Sequence, residues 1–196
     1  QDAILASLQR QSKAFRAHAQ RVIQLALGLG KACSLSEQEL GCLGVASRYH
    51  DIGFLSMESK LWGKSGKLTR EDWSEIRRHP EIGYRLVSIL QEGSQVGETI
   101  LAHHEWWNGE GYPKGLRGAD IPLPARILSI AEAFDAMTHS RSLECSLSEE
   151  AALEELKRGS GTQFDPSLVE LFDLIYRQTT ISNDSTKEDS NEKEAS

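Results

Sequence analysis

The sequence predicts an all-α fold. Apolar residues recur every seven positions at Leu8, Phe15, Val22 and Leu29, which is the spacing of one long amphipathic helix. Strict alternation of apolar and polar residues, the pattern of a half-buried β-strand, is nearly absent. At 196 residues the chain is long enough to form one domain around its own core.

Helix starts can be assigned from capping residues. Ser36 and Glu39 have the spacing of a capping box and predict a second helix. Thr69 and Asp72 predict another start in the same way. Three prolines occupy positions suited to the first turn of a helix, namely Pro80, Pro124 and Pro166.

One stretch, residues 105–122, breaks the helical pattern. It contains four glycines, at positions 109, 111, 115 and 118, and two prolines. A loop of this length inside a compact helical domain is usually functional. We therefore expect a glycine- and proline-rich loop that contributes to a site.

Charge and cysteine content exclude several classes of function. Lys and Arg total 22 against 29 Asp and Glu, a net charge of −7, which argues against sequence-independent binding of nucleic-acid polymers or of anionic membranes. A compact anionic substrate remains compatible, because metal ions or local cations can offset the overall sign. Three widely spaced cysteines without a CxxC pair indicate free thiols in a reducing cytoplasm, namely Cys33, Cys42 and Cys145.

The chain divides into three parts by composition. Residues 1–17 are expected to form a leading helix that continues from an upstream sensory domain and favours a homodimer. Residues 18–177 are expected to form the folded domain. Residues 178–196 are polar and acidic, and we expect a disordered tail, because they cannot bury enough apolar surface to offset their ordering entropy.

Histidines and aspartates suggest a metal site. Two of the six histidines are paired as His103-His104, and a third forms the pair His50-Asp51. Side chains that converge from several helices can build a dinuclear site in a bundle core. Nitrogen and carboxylate ligands without thiolate suit iron, manganese, nickel or zinc. The alternatives are ordinary: His18 or His139 alone would be a surface or core histidine, and His79 before Pro80 could be a helix cap.

Several motifs together resemble the HD-GYP family of the HD phosphohydrolase superfamily. The match extends from about His18 to Leu171 and is most specific between the HHE and GYP motifs. The motifs are HDIG at 50–53, GKLT at 66–69, HPEIG at 79–83, HHE at 103–105, NGEGYPKGL at 108–116, FDA at 134–136 and GTQFDP at 161–166.

This resemblance implies an HD-type helical bundle with a GYP loop, and a metal-dependent phosphodiesterase that hydrolyses cyclic di-GMP to pGpG, with the final product, pGpG or GMP, left open. It implies two divalent ions, iron or manganese first and nickel or zinc as alternatives. Asp51 would be catalytic as the ligand shared by both ions. The remaining ligands implied by position are His18, His50 and Asp135 on one ion, and His79, His103 and His104 on the other.

Some positions depart from the family pattern. Phe54 stands where the family has a lysine expected to contact the scissile phosphate, and Glu144 stands where it has a basic residue. Asn108 and Glu132 each replace an aspartate, and Ala14 replaces a glutamate that would support a third ion. These changes threaten rate and affinity rather than metal binding. The expected substrate contacts are Phe54, Tyr112 and Arg141.

Two other functions remain open from the sequence. One is a metal-loaded but weakly active module that senses a cyclic dinucleotide or docks a diguanylate cyclase through the loop at 109–118. The other is an HD phosphohydrolase with a different nucleotide substrate. Phe54 and Glu144 favour the binding module over an efficient enzyme.

Overall fold

Helices make up the regular structure of the residues that the computed structural model describes, which are 13–56, 68–89, 94–139 and 146–179. The all-α prediction is confirmed. Short 3₁₀ helices cover Ile52–Ser56 and Gly118–Asp120. The α-helices in chain order are α1 Lys13–Ala32, α2 Glu37–Tyr49, α3 Arg70–Ile76, α4 His79–Ile89, α5 Ser94–Ala102, α6 Leu123–Thr138, α7 Glu149–Arg158 and α8 166–179.

The predicted caps are present. The Ser36 hydroxyl accepts from the backbone N–H of Glu39, whose carboxylate accepts from the backbone N–H of Ser36. Thr69 and Asp72 form the same reciprocal pair at the start of α3. Each pair satisfies backbone donors that a helix start would otherwise leave without a partner. The loop predicted at 105–122 is irregular apart from one 3₁₀ turn.

The larger core cluster lies between α1, α2 and α6 to α8. Val22, Ala26 and Leu29 of α1 are fully buried against residues of α6 such as Ile127. Aromatic rings extend this core toward the last helix, where Phe134 makes an edge contact with Phe172 at a centroid distance of 5.2 Å. The cluster fixes α1 beside α6, so side chains of both helices can face one site.

A second, smaller core cluster joins α2, α4 and α5. Its buried members are Ala46, Ile52, Val87, Val96 and Ile100. It brings together the end of α2, the beginning of α4 and the end of α5. These are the three places where the sequence carries its HD, HPEIG and HHE motifs.

Gly53 allows the turn after Asp51 to lie very close to the start of α4. A Cβ atom at this position would lie 2.0 Å from the backbone oxygen of His79. Only glycine permits that contact, which a real Cβ could not make. The turn after Asp51 therefore packs directly on the backbone that begins α4.

The predicted domain boundaries fall partly outside the described residues. Residues 1–12 and 180–196 are outside them, and so are the leading half of the first helix and nearly all of the predicted tail. α1 continues through the predicted boundary at residue 17, and α8 continues to residue 179, two residues past the boundary at 177. Among the helices described, none has the length and apolar character that crossing a membrane requires.

Gly53→Ala should destabilise the domain, because the new methyl group must displace either the HD turn or the start of α4. Overpacking of this kind costs about 2 kcal/mol, which lowers the melting temperature by roughly 4–8 °C for a domain of this size. Thermal unfolding followed by circular dichroism measures it.

Gly41→Ala is the matched control, since Gly41 lies in α2 with open space where its Cβ would be. Alanine there should leave stability unchanged or raise it by up to about 1 kcal/mol. Equal melting temperatures for the two variants would contradict the close-packing explanation.

Candidate metal centre

The helix ends gather histidines around a small buried space. His50 directly follows α2, His79 begins α4 and His103 directly follows α5. All three side chains are buried. His18 reaches the same space from the middle of α1, and its Nε2 lies 3.4 Å from Nε2 of His50. The structure thus brings together four histidines that are up to 85 residues apart in sequence.

Three of these rings are held by the same kind of local hydrogen bond. Nδ1 of His50, His79 and His103 each lies 2.6–2.8 Å from the backbone oxygen of the residue three positions earlier, which is Ser47, Ile76 or Ile100. A carbonyl oxygen can only accept, so each Nδ1 carries the proton. In the neutral imidazole, Nε2 is then a lone pair directed into the site. Histidines that bind metals are usually oriented in this way.

These lone pairs face one another in pairs. Nε2 of His79 lies 3.2 Å from Nε2 of His103, and the His18–His50 pair has the 3.4 Å separation given above. Two nitrogens bound to one ion at about 2.1 Å each lie about 3.0–3.4 Å apart. Without a shared cation, the facing lone pairs would repel. The donor set therefore fits a bound cation at each pair.

Asp51 lies between the two pairs. One carboxylate oxygen, Oδ2, is 3.4 Å from Nε2 of His50, and the other, Oδ1, is 3.6 Å from Nε2 of His79. These separations are long for hydrogen bonds and suit ligand atoms that share an ion. Burial acts to raise the pKa of Asp51, but the four surrounding histidines outweigh it and hold that pKa below its usual value. Asp51 is therefore a carboxylate that faces both histidine pairs.

Neutral imidazoles predominate in the second histidine group. Burial lowers the pKa of His79, His103 and His104, to about 3 for His104, and the neighbouring histidines lower each of them further. At neutral pH these rings offer lone pairs rather than protons. Ligand atoms of His79, His103 and His104 lie within 4.8 Å of one another, as do those of His18, His50 and Asp51.

Glu132 is a site residue that the sequence reasoning missed. Its carboxylate lies 3.8 Å from His103 and 3.9 Å from His104, and it forms a further group with Asp51 and His103 that could hold an ion. Burial, and then the charge of Asp51, raise its pKa well above the usual value. Two carboxylates in one buried space favour a cation there. The signal was available, because Glu132 lies one helical turn before Asp135 on the same helix.

Comparison with known proteins agrees with this arrangement. The family model described as "HD domain" matches residues 4–168, most of the chain. The chain belongs to the HD domain family. The family resemblance inferred from the sequence motifs is thereby confirmed.

Curated relatives of this HD domain are bacterial phosphodiesterases. It is 36% identical over 167 residues to the 3'3'-cGAMP-specific phosphodiesterase 2 of Vibrio cholerae, covering 84% of this chain and 32% of that protein. It is 39% identical over 153 residues to the cyclic di-GMP phosphodiesterase response regulator RpfG of Xanthomonas campestris, covering 77% of this chain and 40% of that protein. The chain thus spans well under half of each relative.

A solved structure shares the fold. The cyclic GMP-AMP specific phosphodiesterase V-cGAP3 of V. cholerae superposes with a TM-score of 0.67 at 24% identity, over 82% of this chain and 44% of that one. At this identity the likeness concerns the fold alone.

In this HD domain, Asp135 is engaged by neighbouring side chains. Arg21 donates to both of its carboxylate oxygens, at 2.5 and 3.0 Å, and His18 Nδ1 donates to Oδ2 at 2.7 Å. Burial acts to raise the pKa of Asp135, but the hydrogen bonds from His18 and Arg21 outweigh it and hold that pKa below its usual value. The bond from His18 directs its Nε2 into the site. These contacts favour an orienting role for Asp135, and its expected role as a ligand stays a prediction.

Phe54 forms one wall of the centre. Its ring is stacked on the imidazole of His79, with centroids 4.2 Å apart and planes 18° from parallel. The stack holds the His79 ring in place. The Phe54 side chain contributes no charge at this position, where the family pattern has a lysine.

Tyr112 closes another side of the centre. Its ring stacks on His104 with centroids 4.9 Å apart, and the guanidinium of Arg77 lies 5.4 Å from the centre of the Tyr112 ring. Burial raises its pKa, and the charge of Glu132 raises it further. Arg141, the other expected substrate contact, lies outside the described residues, as does Glu144.

Buried Glu105 anchors the loop that carries Tyr112. Its carboxylate accepts from the backbone N–H of Lys114 at 2.6 Å and of Leu116 at 3.0 Å. Gly111 lies so close that a Cβ there would be 2.2 Å from the backbone nitrogen of Trp106. The loop is therefore built around the residue that follows the two histidines.

The GTQFDP motif supports the other edge of the loop. The backbone N–H of Trp107 donates to Gln163, and that of Asn108 donates to Thr162. Asn108 also makes the turn expected from its side chain, because its Oδ1 accepts from the backbone N–H of Glu110 at 3.0 Å. The neutral replacement of aspartate therefore leaves the turn intact.

Glu105→Ala should release the loop, because the variant leaves the N–H groups of Lys114 and Leu116 without their acceptor. Each such loss costs about 1–3 kcal/mol. Limited digestion with trypsin should then cut after Lys114 and Arg117 much faster than in the wild type. Mass spectrometry of the fragments identifies the cut sites.

Glu110→Ala provides the control, because Glu110 is an exposed acidic residue of the same loop. It should digest at nearly the wild-type rate. Equal protection of the loop in the Glu105 and Glu110 variants would show that the carboxylate of Glu105 does not hold it.

Proposed function

We propose that this HD domain is a metal-dependent phosphodiesterase that opens cyclic di-GMP to pGpG and cleaves pGpG further to GMP. The observation that carries the proposal is the position of Asp51, whose two carboxylate oxygens face two separate pairs of histidine nitrogens, His18–His50 and His79–His103. The names of the curated relatives support a cyclic dinucleotide as substrate. The site's own geometry supports phosphodiester hydrolysis.

The donor set supports two ions. Asp51 would be the shared ligand and the residue on which catalysis depends. His18 and His50 would complete one position, with Asp135 orienting His18 or joining as a ligand. The second position would be completed by His79, His103, His104 and Glu132. Imidazole and carboxylate ligands without thiolate support iron or manganese first, with nickel or zinc as alternatives.

Two divalent ions, when bound, lower the pKa of a water and neutralise charge on an in-line phosphoryl transition state. The residues of this chain hold that arrangement in place. Backbone carbonyls orient three imidazoles, Asp135 orients the fourth, and Phe54 and Tyr112 cover two of the rings. Orientation before substrate arrives reduces the reorganisation that the reaction would otherwise require.

Phe54 favours a slow enzyme, and it supports the second candidate function, a weakly active module that senses a cyclic dinucleotide. An aromatic ring supplies neither the charge nor the proton of the lysine that the family pattern has there. Loss of one charge-assisted contact to a developing phosphate charge costs a few kcal/mol, on the order of a hundredfold in rate. Docking of a diguanylate cyclase on the loop, an upstream sensory domain and a homodimer stay predictions.

Asp51→Ala should remove most of the bound metal, because the carboxylate faces both histidine pairs. Elemental analysis of the purified wild type should give about two divalent ions per chain. His139→Ala is the control, since this histidine is half exposed and belongs to none of the groups that could hold an ion, although its Nδ1 lies 3.2 Å from Oδ1 of Asp135. Full metal content in Asp51→Ala would contradict the shared-ligand assignment.

Phe54→Lys should raise the rate of cyclic di-GMP hydrolysis by about 10- to 100-fold, because it restores a charge beside the scissile phosphate. The measurement is initial velocity with metal content verified in each sample. Leu55→Lys adds the same charge at the next position, whose side chain is exposed, and should leave the rate unchanged.

The two candidate functions give different results in this assay. Measurable wild-type hydrolysis that Phe54→Lys accelerates supports the enzyme. A fully metallated wild type without turnover, unrescued by Phe54→Lys, would replace the enzyme with the binding module. A wild type that already hydrolyses cyclic di-GMP rapidly, with no increase in rate in Phe54→Lys, would contradict the explanation based on Phe54.

A further inference from the structure

Helix α3 presents an aromatic ring between two arginines. Arg70, Trp73 and Arg77 are separated by three and four positions, so they share one face of the chain at α3 and its C-cap. Both arginines are exposed, and Trp73 is 52% exposed, which is unusual for the largest apolar side chain. The candidate metal centre uses none of these three residues directly.

This face lines an open groove of about 780 Å³, together with Glu71 and Ser74. The groove adjoins the candidate metal centre through Arg77. The guanidinium of Arg77 lies over the ring of Tyr112, and that ring is stacked on His104. A ligand bound at the centre could therefore extend past Tyr112 into the groove.

The charge of this face is opposite to that of the chain. The protein carries a net charge of −7, yet among the described residues neither Arg70 nor Arg77 belongs to an ion pair. Arginine guanidinium groups bind phosphate oxygens in pairs of hydrogen bonds. An exposed indole offers a surface on which any nucleobase can stack. Together they match one nucleotide, with its base on Trp73 and its phosphate between the arginines.

We propose that the α3 face is the subsite for the distal nucleotide of a cyclic dinucleotide. The base of that nucleotide stacks on Trp73, and Arg70 and Arg77 contact its phosphate, while the phosphodiester to be cleaved lies at the metal centre. The inference rests on the proposed function, since it takes the same substrate. It assigns affinity for a dinucleotide to residues separate from the metal ligands.

Removal of the indole tests the subsite. In metal-loaded protein, Trp73→Ala should raise Kd for the hydrolysis-resistant bis-phosphorothioate analogue of cyclic di-GMP by about tenfold or more, measured by calorimetry. Trp73→Phe should restore most of the affinity, because it keeps an aromatic face. Hydrolysis of bis(p-nitrophenyl) phosphate, a diester too small to reach α3 from the centre, should keep its wild-type kcat/KM in both variants.

Removal of the charge gives an independent test. Arg70→Ala should weaken analogue binding severalfold and reduce its dependence on salt concentration. Arg158→Ala removes the same charge from α7, where the residue is exposed and paired with Glu155, and should bind the analogue as the wild type does. Similar affinities for Arg70→Ala and Arg158→Ala would overturn the phosphate contact.

The outcomes separate this subsite from the proposed function. Wild-type affinity in Trp73→Ala, with hydrolysis intact, would overturn the subsite and leave the enzyme standing. Tight binding that Trp73→Ala weakens, without hydrolysis by the wild type, would support the subsite while the proposed function fails. No binding of the analogue by the wild type would overturn the subsite.

Discussion

Imidazole nitrogens face one another at 3.2 Å in the His79–His103 pair and at 3.4 Å in the His18–His50 pair, an arrangement that suits a shared cation. Each ring is held by a hydrogen bond from its other nitrogen, to a backbone carbonyl for three rings and to Asp135 for the fourth. The fold thus orients a cluster of lone pairs before any ion binds to them. Asp51 adds a carboxylate that faces both pairs, which supports the proposal of two ions.

The fold supplies this arrangement mainly through helix ends. A histidine just after a helix can donate to the carbonyl three residues earlier, because the last carbonyls of a helix have no partner within it. A histidine that begins a helix can donate to a carbonyl of the turn before it. The small core cluster then sets the three helix ends side by side, and Gly53 lets the HD turn contact the backbone of His79. The larger cluster fixes α1 and α6, which add His18, Glu132 and Asp135 from the opposite side.

In the proposed function, metal binding and substrate recognition depend on different residues. The histidine rings are held by hydrogen bonds, whereas the expected substrate contacts lie around them, at Phe54, on the GYP loop and, in our proposal, on α3. Tyr112 connects the two, since its ring contacts both His104 and the guanidinium of Arg77. In the proposed function, this acidic chain binds an anionic nucleotide through local positive charge, supplied by bound metal ions and by the two arginines of the α3 face.

The sequence by itself determined the helical class, the capped helix starts, the irregular loop and the family, because these depend on local spacing and on motifs that are contiguous in the chain. It also indicated that His50, Asp51, His79, His103 and His104 belong together. Tertiary structure alone decided which carboxylate faces which histidine. Asp135 is hydrogen-bonded to Arg21 and to His18, which is 117 residues away, while Glu132 one turn earlier lies within 4 Å of His103 and His104. The stack of Phe54 on His79, the position of Tyr112 and the exposed face of α3 likewise depend on how helices distant in sequence pack, which no local pattern encodes.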